Sequence, residues 1–547
     1  MRAGRKAPAA DEGEAKKAKV VTDTLLTGLQ SEITKLGRLV VDQLERALQS
    51  YDTRDLQLAE EIIERDDAVD NLNLELEERC FALAATGGLS ADGLRAVRAN
   101  VKIALNLERI GDAGTHIAKR VRLLVREGVP RVEFAFSDLE TCAVAAVTEV
   151  VEAVAHRDLE QARQACMRES ELDTSYIRYL GEARQRIQSD PVAVPYVLHC
   201  LTVMKYLEKV ADYVLNIGEQ VIFLLTGRRL KFSQYQQLGL LLPEGTHGDV
   251  EFRPYWDGIS GAVVARISGR EGNMIYKEGA RRKIQEEAEK LKMWEQIPGE
   301  LTPRILGSVT IKDRQALLRE FVDSTLLSEL YLSDAPRQAK LVATERVLAA
   351  VRQVWQSTFV ATPPTVDYVA QIRRRLPEAF ALHPDLRRQV ENGVALEDGP
   401  ARLVDLLPRA EALEPGLVPP FSVWLHGDFN ANNVLYSERT NQIKFIDVHR
   451  SRLGDYLQDV SVFMLSMDRR PDLSSAIRED VAAVNALVEA FAREFAAAYA
   501  DTAFERRLLL SLARSCITSV RVVIDLGHAE TLLRRGVALL RQVVEGS

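Results

Sequence analysis

The segment LERIGDAGTHIAKRV, residues 107–121, decides the fold of the first half of the chain, because it recurs as LEKVADYVLNIGEQV at residues 207–221. In both copies the apolar residues recur at the three- and four-residue steps of an amphipathic helix. A second related pair lies upstream, ERDDAVDNLNLELEE at 64–78 and MRESELDTSYIRYLGEA at 167–183. Two copies of a helical unit of about 100 residues predict two similar helix bundles that pack together.

Outward from these segments the helical pattern extends over residues 22–228. Residues 1–21 are charged and lack an apolar run, so a disordered tail is predicted there. Residues 229–249 are polar and contain Gly and Pro, which predicts a linker. Short β-favouring runs begin after it, so residues 250–547 are predicted to form an α+β domain with a small β-rich lobe and a mostly helical lobe.

The composition excludes several classes of protein. The 547 residues carry a net charge of −8, and an acidic chain is a poor candidate for nucleic-acid binding, which depends on Lys and Arg. No stretch approaches the roughly 18 consecutive apolar residues of a membrane span. The five cysteines form no CxxC pair, which is typical of reduced thiols. A cytoplasmic protein without a transmembrane segment is therefore expected.

Acidic side chains fall four residues apart on one face of several predicted helices. Such like charges repel by about 0.2–0.5 kcal/mol per pair, so solvent, Lys or Arg partners, or a metal ion must offset them. Carboxylates bind hard cations, and His116, one helical step after the first pair, would admit iron or zinc. The alternative is a solvated face with salt bridges to residues such as Lys209. The pairs are Glu108 with Asp112, Glu208 with Asp212, Asp66 with Asp70, and Glu169 with Asp173.

These acidic repeats resemble the PhoU family of regulators of bacterial phosphate uptake, over about residues 22–228. The resemblance implies two symmetry-related three-helix bundles and, as in some members, metal clusters on the acidic faces. It also implies a role in restraining phosphate import, with phosphate-transporter or sensor-kinase components as partners. His116 departs from the family, in which Asn is common at this position, as at Asn216 of the second copy.

The motif HGDFNANN at 426–433, followed by IKFIDV at 443–448, points to phosphoryl transfer. This chemistry needs a carboxylate that orients or deprotonates the attacking hydroxyl, oxygen ligands for Mg²⁺, and a cation on the nucleotide phosphates. Asp428 lies in a loop between apolar runs, where it suits the first task. Asn433 and Asp447 suit the second task, because amide and carboxylate oxygens bind Mg²⁺.

Candidate nucleotide-binding residues precede this motif in the chain. The turn WDGISGAVVARI contains Gly258, Ser260 and Gly261, whose backbone N–H groups could cover phosphates. Lys277 lies in the next strand-like run, and Glu287 lies ten residues later on a predicted helix. A Lys–Glu pair would hold the ammonium against the phosphates. Each residue alone has an ordinary structural explanation, but their order favours a nucleotide site.

The order of these motifs resembles the aminoglycoside phosphotransferases and their choline-kinase-like relatives over about residues 250–547. The resemblance implies the two-lobed protein-kinase fold and the use of ATP and Mg²⁺. The family spans antibiotic, choline, sugar and protein-linked acceptors, so the hydroxyl-bearing acceptor stays open. The implied roles are catalytic base for Asp428, nucleotide contact for Lys277 with Glu287 as its partner, Mg²⁺ binding for Asn433 and Asp447, and structural support for Asp459.

The leading hypothesis is a phosphate-signalling regulatory module fused to an ATP-dependent phosphotransferase that acts on a hydroxyl of a small-molecule acceptor. The alternative is a non-catalytic, nucleotide-binding regulator of phosphate uptake that works as a protein-interaction adaptor. The oligomeric state stays open, with a homodimer as one of the states considered.

Overall fold

The computed structural model divides the chain into two compact units, Met1–Asp249 and Val250–Ser547. Within the described residues, no helix combines the length and the apolar character that crossing a membrane requires. The residues described are 10–242, 251–255, 262–269, 272–397 and 399–546, with side chains from residue 25 onward.

The described part of the first unit is entirely helical. The segments that recur in the sequence lie on α4 and α7, and these two helices pack against each other. Helices α1–α4 form the first repeat, in which Arg65 separates α2 from α3, and α5–α7 form the second. The predicted all-α tandem of bundles is confirmed. The helices are α1 (Ala10–Thr53), α2 (Leu56–Glu64), α3 (Asp66–Ala85), α4 (Ala91–Arg126), α5 (Ser137–His156), α6 (Leu159–Ser189), α7 (Val194–Thr226) and α8 (Phe232–Leu241).

The core of this unit follows the helical period of the repeat. Ile103, Ile110 and Ile117 stand seven residues apart on α4, and all three are fully buried. Burying such a side chain contributes about 1.5–3 kcal/mol, so these positions hold the bundles together. On α7, a Cβ at Gly218 would overlap Sγ of Cys166, so the glycine permits the close approach of α6.

Two boundaries in this unit differ from the sequence prediction. Helix α1 begins at Ala10, so residues 10–21 are helical rather than a disordered tail. They are rich in Ala, Glu and Lys, which are strong helix formers despite their charge. In the predicted linker, residues 232–241 form α8, because Phe232 and Leu238 are buried and the Phe232 N–H donates to Oε1 of Glu219. Residues 1–9 and 243–249 lie outside the described part.

The second unit contains three antiparallel sheets within its described residues. The five-stranded sheet has the order β1-β2-β3-β5-β4, and two small sheets have the orders β6-β8-β9 and β10-β7. The strands are β1 (Glu251–Tyr255), β2 (Val263–Gly269), β3 (Gly272–Ala280), β4 (Ile305–Ile311), β5 (Arg314–Glu320), β6 (Thr325–Leu326), β7 (Val423–Leu425), β8 (Val434–Ser437), β9 (Gln442–Phe445) and β10 (Arg452–Gly454).

The remaining helices complete a two-lobed α+β unit, as the sequence predicts. Helix α9 packs on the five-stranded sheet, and residues 321–324 lead from β5 into the helical lobe. The helices are α9 (Arg281–Glu295), α10 (Leu327–Leu332), α11 (Arg337–Ser357), α12 (Tyr368–Leu382), α13 (Pro384–Asn392), α14 (Leu403–Leu413), α15 (Leu457–Ser466), α16 (Ser475–Ala498), α17 (Phe504–Ser519) and α18 (Leu526–Glu545).

Candidate functional site

A buried lysine lies at the centre of the candidate site in the second unit. Lys277 on β3 places its Nζ 2.7 Å from Oε2 of Glu287 on α9. The same ammonium forms an ion pair with Oδ1 of Asp447, which follows β9. Lys277 and Glu287 are both buried, whereas the Asp447 side chain keeps 42% of its surface exposed. The fold therefore brings together three residues that are far apart in the sequence.

Arg319 is a second cationic partner of Glu287 that sequence reasoning missed. Its Nη1 lies 3.0 Å from Oε1 of Glu287, and the arginine is buried. On the antiparallel pair β3–β5, Lys277 is opposite Leu317 and Ile275 is opposite Arg319. Lys277 and Arg319 are therefore diagonal neighbours on one face of the sheet. The sequence signal that could have identified Arg319 is its position in the otherwise apolar strand segment ALL, residues 316–318, which it directly follows.

Asp447 has a left-handed backbone conformation and a lowered side-chain pKa. Its φ of 60° places a non-glycine residue in the left-handed region, where strain persists only if the surroundings hold the residue. Burial by itself would raise the pKa of Asp447, but the adjacent Lys277 ammonium outweighs burial and holds the pKa below its ordinary value. The carboxylate is thus ionised and held in position by the Lys277 ammonium.

Asp428 lies in the loop between β7 and β8, and its neighbours fix it from two directions. Nδ2 of Asn433 donates to the backbone oxygen of Asp428 at 2.9 Å, and Nδ2 of Asn430 donates to the same oxygen at 3.1 Å. The Asp428 carboxylate accepts a hydrogen bond from Nη1 of Arg450 at 3.0 Å. Arg450 was not identified from the sequence, because a single arginine three residues after Asp447 carries no pattern.

The carboxylate of Asp459 on α15 supports this loop from behind. It accepts the backbone N–H groups of His426, at 2.6 Å, and Gly427, at 3.0 Å. Burial raises the pKa of Asp459 to about 7, although the two N–H donors oppose the shift. The residue lies inside the lobe, so its geometry is that of a support for the backbone next to Asp428.

His426 links the loop to the segment that runs from the end of β9 to Asp447. Its Nε2 lies 3.0 Å from the backbone oxygen of Ile446, and its Nδ1 lies 3.3 Å from the backbone nitrogen of Asp428. These partners require a neutral ring with the proton on Nε2. Burial agrees with this, since it lowers the pKa of His426 to about 4. The histidine ring therefore connects the backbone of Asp428 to that of Ile446, the residue before Asp447.

Gly427 is expected to tolerate no side chain. Its φ is +84°, and a Cβ there would overlap the backbone carbonyl oxygen of Arg450. Gly427→Ala should therefore displace either the Asp428 loop or the Arg450 segment and lower the thermal midpoint of the second unit. Differential scanning calorimetry checks this against Gly416→Ala, since no heavy atom lies within 4 Å of a Cβ at Gly416. Equal midpoints for the two variants would contradict the expectation.

Three predicted nucleotide-binding residues cannot be placed. Gly258, Ser260 and Gly261 lie outside the described residues, so their assignment to a phosphate-covering turn stays a prediction. The strand that follows them, β2, pairs with β3 and places Val264 opposite Lys277.

The acidic faces of the two helical repeats differ in structure. In the first repeat, carboxylate oxygens of Asp66, Asp70 and Asp112 lie within 4.8 Å of one another. Burial, reinforced by neighbouring carboxylates, raises the pKa of Asp70, Asp112 and the adjacent Glu108. His116 is not a member of this group, and its Nδ1 lies 2.7 Å from the Asp112 backbone oxygen. The expectation of iron or zinc at a histidine ligand thus has no support in the geometry.

Lysines neutralise the corresponding face of the second repeat. Nζ of Lys205 lies 2.7 Å from Glu208, and Nζ of Lys209 lies 2.7 Å from Asp212. Glu169 and Asp173 are half-buried on α6 and have interaction partners of their own. The salt-bridged alternative left open by the sequence is therefore realised in this repeat.

Comparison with known proteins agrees with this division. A model of the PhoU domain matches residues 33–121 and 136–221, and a model of the phosphotransferase enzyme family, APH, matches residues 251–510. The phosphate-specific transport system accessory protein PhoU homolog of Clostridium acetobutylicum is 29% identical over 209 residues, 38% of this chain and 95% of the relative.

The PhoU homolog of Caulobacter vibrioides is 30% identical over 217 residues, 40% of this chain and 94% of the relative. A solved structure, that of aminoglycoside phosphotransferase APH(4)-Ia, is 13% identical. The match covers 53% of this chain and 94% of the solved one, with a TM-score of 0.37. Through its first half the chain belongs to the PhoU family, and its second half contains a domain of the APH phosphotransferase family.

Proposed function

We propose that the second half transfers the γ-phosphoryl group of ATP, with Mg²⁺, to a hydroxyl of a small-molecule acceptor, and that the PhoU half adjusts this activity to phosphate status. The observation that carries the proposal is the contact of Lys277 with both Glu287 and Asp447, next to the loop that holds Asp428. Components of phosphate uptake or of its sensor kinase are the proposed partners of the PhoU half.

Each residue has a task that its contacts support. Lys277 would bind the nucleotide phosphates, with Glu287 holding the ammonium in place. Asp447 and Asn433 would hold Mg²⁺, which would neutralise the charge that develops on the phosphates. Asn433 uses its Nδ2 on the Asp428 backbone, and its Oδ1 accepts no hydrogen bond within the described part of the chain. That oxygen is therefore free for a cation.

In the transfer step, Asp428 would take the proton of the acceptor hydroxyl while the hydroxyl oxygen bonds to the γ-phosphorus. The bond from the γ-phosphorus to the oxygen bridging the β- and γ-phosphates breaks, and ADP leaves with that oxygen. Arg450 holds the Asp428 carboxylate at 3.0 Å, so the base has a fixed position before the acceptor arrives.

The test is an untargeted search for a phosphorylated product. The full chain is incubated with ATP, Mg²⁺ and the small-molecule fraction of a cell extract, and mass spectrometry compares it with the Asp447→Asn variant. A new phosphorylated compound is expected with the natural chain alone. Nucleotide binding without any new product would favour the alternative, a non-catalytic adaptor that regulates phosphate uptake.

A second candidate function concerns the first repeat, where we propose a divalent-cation site at Asp66, Asp70 and Asp112, with Glu108 alongside. Three carboxylates at one place are the donor set of a hard cation such as Mg²⁺, Mn²⁺ or Ca²⁺. The lysine pairs of the second repeat oppose a cation at Glu208 and Asp212, so one site rather than two is proposed.

Because lysines pair with the carboxylates of the second repeat only, Asp112→Asn in the first repeat and Asp212→Asn in the second form a matched pair of variants. Mn²⁺ at 100 times its Kd should raise the unfolding free energy of the natural chain by about 2.7 kcal/mol. Asp112→Asn should lose this stabilisation, and Asp212→Asn should keep it. A thermal-shift titration of the full chain checks both variants. Equal stabilisation of Asp112→Asn and Asp212→Asn by Mn²⁺ would contradict the cation site and favour a solvated acidic surface at Asp66, Asp70 and Asp112.

A further inference from the structure

The second unit contains a cavity that is separate from the candidate site. It has a volume of about 260 Å³ and lies where the end of α9, the end of α11 and strand β7 meet. Its walls include Met293, Ile297 and Pro298 from α9 and the residues after it, Ser357 from α11, and Trp424 from β7. None of the described residues that line it is charged, and none is assigned above to the nucleotide, the cation or the base. This lining suits a neutral, mainly apolar compound.

One wall of the cavity carries a buried hydrogen-bond donor without an acceptor. Trp424 is 9% exposed, and its indole Nε1 has no hydrogen-bond partner within the described residues. Trp294, a buried tryptophan on α9, shows the ordinary arrangement, because its Nε1 donates to Oγ of Ser451 at 2.8 Å. Burying a donor without a partner destabilises a fold, and an indole N–H can only donate. The Trp424 N–H group therefore calls for an acceptor from outside the protein.

The interior of the unit offers little room for such an acceptor. Trp424 also borders an internal void that it shares with His426 and Asp459. This void measures about 10 Å³, the lower limit for a single water, and a buried water needs roughly two to four polar partners. Both ring nitrogens of His426 and both carboxylate oxygens of Asp459 already have hydrogen-bond partners. The outer cavity is therefore the place where an acceptor fits.

Contacts within the unit hold the indole in position before any ligand arrives. Nζ of Lys290 lies 5.3 Å from the centre of the Trp424 ring. The backbone N–H of Trp424 donates to Oγ1 of Thr358 at 3.0 Å, and this hydroxyl donates to the Val354 backbone oxygen at 2.7 Å. A ligand would therefore meet a preorganised wall, which lowers the entropic cost of binding.

The same wall is connected to the loop of the candidate base. Trp424 precedes His426 by two residues. The backbone oxygen of His426 accepts a hydrogen bond from Oγ of Ser451 at 3.1 Å, and Ser451 in turn accepts the N–H of Trp294 on α9. A compound bound between α9 and β7 would therefore contact two elements that support this loop.

We propose that the cavity binds a small neutral compound with an apolar body and a carbonyl oxygen, which accepts the N–H of Trp424, and that this compound is an effector that stabilises the loop of the candidate base. The inference goes beyond the proposed phosphoryl transfer and does not depend on it. An ionised ligand is disfavoured, because the uncharged lining would not compensate for the loss of its hydration.

The test observes the Trp424 N–H group directly. The full chain labelled with ¹⁵N-tryptophan has four indole N–H groups, and the signal that Trp424→Phe removes is that of Trp424. ε-Caprolactam, a neutral ring with a carbonyl acceptor, should move this indole proton downfield with a Kd of about 10 mM or tighter. Cyclohexylammonium, which has no acceptor, and cyclohexanecarboxylate, which is charged, should bind more weakly.

A pair of variants separates this cavity from other binding places. Ser357→Phe should weaken the binding of ε-caprolactam at least about tenfold, because the added ring occupies the cavity. Gln356→Phe is the matched control, since Gln356 is the exposed neighbour of Ser357 and does not line the cavity. Ligand-observed NMR should also show binding to Trp424→Phe about three- to tenfold weaker, the effect of losing one neutral hydrogen bond.

The outcomes bear on this inference alone, since no measurement uses a nucleotide. A Trp424 signal that does not move, equal affinity in Ser357→Phe and Gln356→Phe, or tighter binding of the carboxylate would each overturn the proposed ligand class. Hydrogen exchange tests the effector role, because bound ε-caprolactam should slow backbone exchange in residues 426–433 of the natural chain but not of Ser357→Phe. Unchanged exchange in the natural chain would overturn that role.

Discussion

Replacing Asp428 by Asn is expected to slow phosphoryl transfer by about 10²–10⁴-fold, the usual contribution of a positioned general base. Asn cannot take the hydroxyl proton, yet it keeps the size of the side chain. Nucleotide affinity should change little, because the contacts of Asp428 are with Arg450, Asn430 and Asn433 rather than with Lys277.

Two readouts on the same protein check this expectation. ADP release in the presence of an acceptor-containing extract measures the chemical step, and titration with Mg²⁺ and AMP-PNP measures nucleotide binding. Asp472→Asn is the control, because Asp472 is an exposed aspartate of the same unit that pairs with Arg470. An Asp428→Asn chain that turns over as fast as the natural one would remove Asp428 from the role of base.

Replacing Glu287 by Ala is expected to lower the free energy of unfolding of the second unit by about 3–5 kcal/mol, the effect of removing one partner of a buried ion pair. Lys277 would still have Asp447, but Arg319 would lose the carboxylate that it contacts at 3.0 Å. Its Nε is already buried without a partner, so the remaining charge would be left without compensation. Nucleotide affinity should fall as well, because Lys277 would no longer be held.

The sequence offers a clean probe for this measurement. All four tryptophans lie after residue 250, so tryptophan fluorescence during urea unfolding reports on the second unit alone. Glu286→Ala is the matched control, since this neighbouring glutamate is half-exposed and pairs within the helix with Arg282. A Glu287→Ala midpoint equal to that of the control would show that the buried network contributes nothing to stability.

The architecture of the first half could be predicted because one pattern encodes it twice. The spacing of apolar residues indicated the helices, and the repeat indicated the two bundles, which α4 and α7 join in the structure. The predicted end of the unit was wrong in part, because α8 lies in a short stretch between Gly227 and Pro243 and is held by tertiary contacts such as that of Phe232 with Glu219. Such a contact between residues thirteen positions apart cannot be recognised from the local sequence pattern.

In the second half, the residues of the HGD and FID motifs and the Lys–Glu pair could be identified because each lies in a recognisable local pattern. The structure places Lys277 in contact with both Glu287 and Asp447, and it places Asn433 on the Asp428 loop. Arg319 and Arg450 could not be predicted as part of this arrangement. Their significance lies in which partners they have or lack after folding, and that depends on strand register and helix packing.

The same limit explains the acidic faces of the PhoU half. The spacing of Glu108 with Asp112 and of Glu208 with Asp212 is identical in sequence, so both pairs predicted a similar site. Only the packed structure shows that Lys205 and Lys209 neutralise the second pair. The sequence shows that Lys205 and Lys209 lie one helical turn before these carboxylates, but it does not show which way their side chains point.

The most direct test of a single magnesium–nucleotide site at Lys277, Asn433 and Asp447, beside the loop that holds Asp428, is calorimetric titration of the full chain with AMP-PNP, with and without Mg²⁺. Binding is expected to depend on Mg²⁺ and to weaken at least about tenfold in Asp447→Asn, through loss of a charged metal ligand. Asp472→Asn should bind as the natural chain does. Affinity that is the same without Mg²⁺, and the same in Asp447→Asn, would contradict the site.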